Sequence, residues 1–235
     1  MTLTVTAIRS RLREHARPAH VPILQRFFKT GPGEYGEGDV FIGVKLPAMR
    51  SVCKACRETP LAAALTLLKS KVHEERLLAL LLMVDRFTRG DDAERRRVYD
   101  AYLAHTRYIN NWDLVDVTAP AVVGGYLAER SRAPLTKLAR STSLWERRIA
   151  IVATHDFIRR GDLADTFRIA GLLLDDPHDL IHKAVGWMLR EAGKRDGAAL
   201  RAFLASRHDR MPRTMLRYAI ERFPEAERRT YLRRG

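Results

Sequence analysis

The stretch HEERLLALLLMVDRFTR, residues 73–89, carries the clearest secondary-structure signal in the chain. Its apolar side chains recur at steps of three and four residues, at Leu77, Leu80, Leu81, Val84 and Phe87. This spacing places them on one face of an α-helix, whereas a strand would alternate at every second residue. The stretch therefore predicts an α-helix over residues 73–89.

Comparable apolar stripes recur along the chain and alternate with shorter helical stretches. The long stripes cover residues 110–127, 144–160, 178–194 and 211–222. The shorter stretches lie near 60–70, 92–105, 133–141, 163–174 and 197–206. Gly90-Asp91 and Gly161-Asp162, between stretches, are typical of helix ends and starts. We therefore expect an all-α fold of about six antiparallel helix pairs.

The long helices also carry marker residues at a nearly constant spacing. Arg76, Trp112, Arg148 and Lys183 follow one another at 36, 36 and 35 residues, and Arg217 comes 34 residues later. A period in the mid-thirties is typical of stacked helical hairpins, whose equivalent positions line up along one surface. We expect one solenoid domain over residues 1–235, with a cationic groove that also holds aromatic rings and a carboxylate.

The charge balance indicates a polyanionic partner. Lys and Arg number 42 against 28 Asp and Glu, a formal net charge of +14. Such an excess favours nucleic acid. A membrane surface is the competing partner, but no run reaches the roughly 18 apolar residues of a spanning helix. The N-terminus lacks the order of a signal peptide, so we expect a cytoplasmic protein.

The sequence gives no support for a metal or a cofactor. Cys53 and Cys56 form a single Cys-x-x-Cys, without the second pair that a zinc site normally needs. Residues 30–43 hold five glycines, but no βαβ pattern surrounds them, so a dinucleotide-binding loop is not indicated. This segment predicts an ordered loop that contains Tyr35 and is followed by Lys45. Those two residues could touch a ligand, or the loop could simply cap the end of the solenoid.

Trp112 and Asp116 are the strongest candidates for chemistry. They are four residues apart and would share one helix face, with Pro120 a further four residues on as a predicted kink. An indole face attracts a cation, and a carboxylate stabilises positive charge beside it. The alternative is that Trp112 packs in the core while Asp116 caps a helix or pairs with an arginine.

Arg148 and Trp187 complete the predicted constellation. A guanidinium donates two parallel hydrogen bonds to phosphate. Trp187 follows Lys183 by one helical turn, and the small neighbour Gly186 would allow a close approach to its ring. The alternatives are an ion pair within the helix for Arg148 and ordinary core packing for Trp187.

Several of these motifs together resemble a known family. They are Tyr35 to Asp39 with Phe41 to Val44, Trp112 to Asp116, Trp145 with Arg148, and Gly186 to Glu191. From about residue 20 to 225 the chain is similar to the bacterial DNA alkylation repair glycosylases of the AlkD type. The resemblance implies HEAT-like helical repeats and excision of alkylated purines such as 3-methyladenine and 7-methylguanine from duplex DNA, without metal or cofactor.

The resemblance also implies roles for individual residues. Asp116 matches the catalytic carboxylate, Trp112 and Trp187 match the aromatic residues that flank the lesion nucleotide, and Arg148 matches the groove arginine beside it. The resemblance further implies that the enzyme approaches the lesion from the DNA backbone side and has no deep pocket for the base. The expected DNA contacts outside this group are Tyr35, Lys45, Arg76, Lys183, Arg190 and Arg217.

Two other classes of protein stay open at this point. One is a non-catalytic HEAT-like module that binds DNA or RNA through the same basic surface. The other is a protein-interaction scaffold, which the charge of +14 fits only if the partner is acidic. For the enzyme, a monomer that acts on alkylated double-stranded DNA is expected.

Overall fold

The computed structural model describes residues 4–233, and within them the fold is all-α, as predicted. No strand forms in this range, and one isolated parallel bridge joins Val40 to Val72. The architecture is consistent with the helical-repeat class, and the number of pairs stays a prediction. Contacts divide the chain into two compact units, Met1–Thr118 and Ala119–Gly235. Each unit is described by itself, and a single domain over 1–235 also stays a prediction.

Unit 1 is built around one long helix. Its helices are α1 (Val5–Arg13), α2 (Val21–Phe27), α3 (Leu46–Ala55), α4 (Leu61–Leu68), α5 (His73–Arg89), α6 (Asp92–Ala104) and α7 (Trp112–Asp116). The bounds of α5 match the predicted stretch, and α3, α4 and α6 pack against it. Because they enclose it from several sides, every side chain from His73 to Met83 is buried. The charged residues at the start of this helix are therefore buried together with its apolar residues.

Unit 2 is also built from helices. It contains a π-helical turn (Pro120–Gly124), α8 (Gly125–Leu127), α9 (Ala133–Ala139), α10 (Leu144–Arg159), α11 (Ala164–Leu172), α12 (Asp179–Arg195), α13 (Gly197–Ala205), α14 (Arg213–Ala219) and α15 (Glu225–Leu232). Helices α10 and α12 pack side by side, and α14 packs on α12. A Cβ on Gly186 would lie 2.5 Å from the Met215 carbonyl oxygen. Its small size therefore serves the contact with α14 rather than access to the Trp187 ring.

The predicted helix over 110–127 is interrupted. Helix α7 ends at Asp116, and the chain resumes regular structure only in the π-helical turn that begins at Pro120. Proline has no N–H to donate to the carbonyl four residues earlier, and its ring crowds that carbonyl. A π-turn is a common response to such a disruption, and it often lies at functional sites. Asp116 consequently stands at the very end of a five-residue helix.

Candidate active site

The first turn of α5 buries four consecutive charged or titratable residues. His73, Glu74, Glu75 and Arg76 are each less than 5% exposed. Burial of a charge is unfavourable unless a partner and hydrogen bonds accompany it. Each of the four has such partners within unit 1, from the N-terminal helix, from the loop before α3 or from α7.

His73 joins two carboxylates that are distant in sequence. Its Nδ1 donates to Asp39 Oδ2 at 3.0 Å and its Nε2 donates to Asp113 Oδ2 at 2.8 Å. Burial alone would favour the neutral ring, but the two hydrogen bonds outweigh it and raise the pKa of His73 to about 9. The ring is therefore an imidazolium at neutral pH, and it ties the loop and α7 to the start of α5.

Asp39 also receives the guanidinium of Arg76. Arg76 Nη2 donates to Asp39 Oδ1 at 2.7 Å, and Nη1 donates to the carbonyl oxygens of Ser70 and Lys71. Burial opposes ionisation of Asp39, yet His73 and Arg76 together lower its pKa. At 4% exposure Arg76 is part of this internal network. This position does not favour its predicted contact with DNA phosphate.

Glu74 fastens the glycine-containing loop to α5. Its carboxylate accepts hydrogen bonds from the backbone N–H groups of Ile42, Gly43 and Val44, the shortest at 2.8 Å from Gly43. Gly43 has φ of +83°, and a Cβ there would lie 2.1 Å from the Arg17 carbonyl oxygen. Only glycine fits this position without strain. The loop is thus ordered, as predicted.

Trp112 is held by a small aromatic cluster. Its ring stacks on Phe28 at 5.3 Å between centroids with 26° between planes, and it meets Phe27 edge-on at 5.5 Å. Phe28 in turn packs on Phe41 and on the His73 ring. Asn111 caps α7, because its side-chain oxygen Oδ1 accepts a hydrogen bond from the backbone N–H of Trp112 at 2.8 Å. The half-buried indole therefore has a fixed position at the start of α7.

Asp116 lies one helical turn from Trp112, at the other end of α7, and is also half-buried. Burial raises the pKa of Tyr102, and the nearby charge of Asp116 raises it further. The Tyr102 hydroxyl is hydrogen-bonded to Thr118 at 2.9 Å. The structure thus brings together the first two residues of the predicted constellation, on one short and well-anchored helix.

A cavity of about 290 Å³ lies beside Trp112, within unit 1. It is largely apolar and its walls come from α2, the loop before α3, α3, α5 and α7. The half-buried Trp112 forms part of its lining, and the exposed residues Phe27 and Lys45 also face it. The cavity therefore adjoins the helix that carries the candidate carboxylate.

Tyr35 is partly exposed in the loop of unit 1, and the remaining predicted residues lie in unit 2, on α10, α12 and α14. Arg148 is 5% exposed and donates to the Leu180 carbonyl oxygen at 2.5 Å. Trp187 is half-buried, with its ring 5.9 Å from that of His155. Lys183 pairs with Asp179 at 2.6 Å, Arg190 pairs with Glu191 and Glu221, and Arg217 is exposed.

One comparison with known proteins shows the family of this chain. The model of the family described as DNA alkylation repair enzyme matches residues 8–223. The chain belongs to the DNA alkylation repair family. A solved structure, described as a predicted DNA alkylation repair enzyme from Enterococcus faecalis, has a TM-score of 0.70 and 15% identity. The match covers 90% of this chain and 98% of the chain in that structure. At 15% identity it supports the fold alone. A comparison with curated proteins gave no match.

Membership in the DNA alkylation repair family confirms the resemblance found in the sequence and makes this chain a DNA repair enzyme. Over residues 4–233, no cluster of three His, Cys, Asp or Glu side chains is arranged to hold a metal ion. Both cysteines are buried thiols, and burial raises the pKa of Cys53 to about 11. No helix within the described range is long and apolar enough to cross a membrane.

Sequence reasoning missed most of the network around His73. One signal was visible in the sequence: the four charged or titratable residues 73–76 come directly before a strongly apolar run. Only Arg76 was singled out, through its place in the period. The partners Asp39 and Asp113 lie 34 and 40 residues from His73, so that local patterns could not find them. Phe27 and Phe28 were missed because an apolar pair on a short helix gives no functional signal.

Proposed function

We propose that this repair enzyme is a DNA glycosylase that hydrolyses the N-glycosidic bond of cationic alkylated purines, such as 3-methyladenine and 7-methylguanine, in duplex DNA. The observation that carries the proposal is the pair formed by Trp112 and Asp116. An aromatic ring with a fixed position and a carboxylate stand one turn apart on α7, and both are half-buried. The resemblance assigns catalysis to the same two positions.

The chemistry of the substrate suits a site with one carboxylate. A purine alkylated at N3 or N7 is already positively charged, so it leaves as a neutral base when the C1′–N bond breaks and the electron pair stays with the base. Ordinary glycoside hydrolysis uses a second carboxyl group as general acid, and this step needs none. Water then adds to C1′ and loses one proton to the solvent. Asp116 would stabilise the developing oxocarbenium charge and orient that water.

Trp112 would contribute a preorganised aromatic face. A cation over an indole gains roughly 0.5–2 kcal/mol, and the gain is larger when water is excluded. Phe27 and Phe28 hold the ring, so little reorganisation accompanies contact with the sugar or the charged base. The resemblance gives Trp187 a second aromatic contact. It gives Arg148 a place beside the lesion, where we propose that its guanidinium anchors a backbone phosphate.

The remaining basic residues would hold the duplex. Lys45 and Arg217 are exposed, and Tyr35, Lys183 and Arg190 are partly exposed. With a net charge of +14, the protein would attract DNA at a distance and retain it through phosphate contacts of these residues. We further propose that the enzyme acts in the cytoplasm as a monomer, without metal or cofactor.

Release of 7-methylguanine from methylated duplex DNA tests the proposal. We expect Asp116→Asn to reduce the release rate by about 10²–10³, the range seen when one electrostatic contributor to a transition state is removed. Asp100→Asn is the matched control, since Asp100 is an exposed carboxylate on α6 and should leave the rate unchanged. Duplex binding is measured in parallel for all three proteins.

If neither the wild type nor Asp116→Asn releases base while both bind the duplex tightly, the glycosylase proposal fails. The protein would then be a non-catalytic module that binds DNA or RNA. A normal rate for Asp116→Asn would instead keep the activity and remove Asp116 from its proposed role.

A further inference from the structure

Helices α10 and α12 meet in a register that involves two residues of the predicted constellation. Arg148 on α10 donates to the Leu180 carbonyl oxygen on α12. Seven residues further along each helix, the ring centroids of His155 and Trp187 are 5.9 Å apart, with 36° between the planes. Because seven residues make about two helical turns, each helix presents both of its contacts on one face. His155 therefore stands beside the second aromatic residue of the proposed site, although no motif in the sequence assigns it a role.

His155 differs from the other histidines of unit 2 in what its ring contacts. The rings of His178, His182 and His208 are each hydrogen-bonded to a backbone group. Over residues 4–233 the half-buried ring of His155 takes part in no hydrogen bond, and it lies against the indole of Trp187. Without such a bond to stabilise one protonation state, the charge of this ring depends on burial and on the charges around it.

The surroundings of His155 favour the neutral ring. Burial lowers the pKa of His155 below its usual value of 6.5, and the cations of Arg159 and Lys194 act in the same direction. Glu191 on α12 and Asp156 on α10 oppose them, but both carboxylates are already in ion pairs with basic side chains. The π-helical turn, which also packs on α10, contains no titratable side chain. The ring therefore gains its proton only below pH 6.5.

A charge on His155 would change what Trp187 can bind. The face of an indole attracts a cation within about 6 Å of the ring centre. An imidazolium at 5.9 Å would occupy this attraction from within the protein, and it would repel a second cation at the same ring. A purine alkylated at N3 or N7, and the sugar as its bond to that purine breaks, both carry positive charge. Neutral His155 leaves Trp187 available to such a group, whereas protonated His155 does not.

We propose that His155 is a positioning residue for Trp187 and that its ring must be uncharged while Trp187 contacts the cationic lesion. The inference rests on the proposed function, because it takes Trp187 to meet the positive charge of the lesion nucleotide. Excision should then be fastest where the ring is neutral and should decline as the pH falls through its titration. The preference for a cationic over a neutral nucleotide should decline in the same interval.

The first experiment measures the contact between the two rings and uses no DNA. An imidazolium quenches the emission of an adjacent indole more strongly than a neutral imidazole does. Tryptophan fluorescence of the full-length protein is titrated downward from neutral pH, and we expect a decrease with a midpoint below 6.5. The decrease should be absent from Trp187→Phe and from His155→Gln. It should persist in His208→Gln, the matched control, because the His208 ring lies against Tyr231 instead. An unchanged decrease in His155→Gln would overturn the inference.

The second experiment measures the effect of the charge on binding without catalysis. One short duplex carries a pyrrolidine nucleotide, a cationic mimic of the sugar in the transition state, and another carries the neutral tetrahydrofuran nucleotide. At neutral pH, His155→Lys should lower the ratio of the two affinities by about 2–30-fold, the range of one cation–π contact. The ratio cancels the general gain in DNA affinity that an added cation brings. His208→Lys, the matched control, should keep the wild-type ratio, and an unchanged ratio for His155→Lys would contradict the proposal.

If His155→Lys does not fold, acidified wild-type protein takes its place. Its affinity ratio should be lower below the fluorescence midpoint than at neutral pH, and that of His155→Gln should be the same at both. An equal fall of the ratio in the two proteins would assign the effect to another group and reject the role of His155.

Single-turnover release of 7-methylguanine connects this charge with the reaction. The wild-type rate should decline as the pH falls through the fluorescence midpoint, whereas His155→Gln should keep the neutral-pH rate and lack that decline. An equal decline in both proteins would overturn the inference and leave the glycosylase proposal intact. If the wild type releases no base, the glycosylase proposal fails, and the affinity ratio still decides whether His155 controls the charge that Trp187 accepts.

Discussion

At the residue scale, the buried imidazolium of His73 connects three parts of unit 1, namely the loop before α3, the start of α5, and α7. It holds Asp39 from the loop and Asp113 from α7 at hydrogen-bond distance, and Arg76 completes the pairing of Asp39. Removal of one member would leave a buried charge without its partner, which is strongly unfavourable. The sequence predicted Arg76 as a functional residue from its place in the period, but its burial could be seen only once the partners were placed in space.

The pKa of His73 predicts a loss of stability at alkaline pH. The folded pKa, about 9, lies above the ordinary value of 6.5. The stabilisation is therefore complete below pH 6.5 and is lost as the pH rises through 9. Urea denaturation of the wild type should give a free energy of unfolding that declines over this interval. His73→Gln should be less stable at pH 6.5 and should lack most of the decline. An equally steep decline in the variant would show that another group is responsible.

At the scale of elements, periodicity predicted the helices well and the interruptions poorly. Helix α5 begins and ends where the apolar spacing indicated, because the surrounding helices bury the same apolar residues that define the spacing. The stretch 110–127 has a comparable stripe, yet Pro120 ends the regular hydrogen bonding within it. The sequence showed Pro120 as a kink. It could not show that α7 would shrink to five residues with the candidate carboxylate at its end.

The loop before α3 provides a prediction with an internal control. Gly43 and Gly38 both have positive φ, of +83° and +84°, but a Cβ on Gly43 would strike the Arg17 carbonyl whereas nothing lies within 4 Å of one on Gly38. Gly38→Ala should therefore cost only the backbone strain, about 1–2 kcal/mol. Gly43→Ala should cost at least about 2 kcal/mol more, since it also disturbs the hydrogen bond to Glu74. Urea denaturation measures both, and equal losses would mean that the close approach at Gly43 relaxes easily.

At the scale of the whole molecule, charge and motif composition carried more functional information than any single residue. The excess of basic residues and the motifs around Trp112, Arg148 and Trp187 indicated the family that the comparison then showed. The count of basic residues does not say which ones meet DNA. Many arginines are paired within the protein, as Arg132 is with Asp162 and Asp165. A three-dimensional structure was needed to separate these from the exposed cations.

That separation makes the salt dependence of duplex binding a test of individual cations. Each phosphate contact releases a counterion, so the affinity falls with the logarithm of salt concentration, and loss of one contact reduces the slope by about 1. Lys45→Ala and Arg217→Ala should each produce that change, because both residues are exposed and are predicted to meet phosphate.

Arg201→Ala is the matched control: Arg201 is similarly accessible but holds both carboxylate oxygens of Glu227, at 2.7 and 2.8 Å. Fluorescence anisotropy with a short duplex at several salt concentrations gives the slopes. A smaller slope for Arg201→Ala but not for the other two would place the DNA on a different basic surface from the one that the period of the sequence predicts.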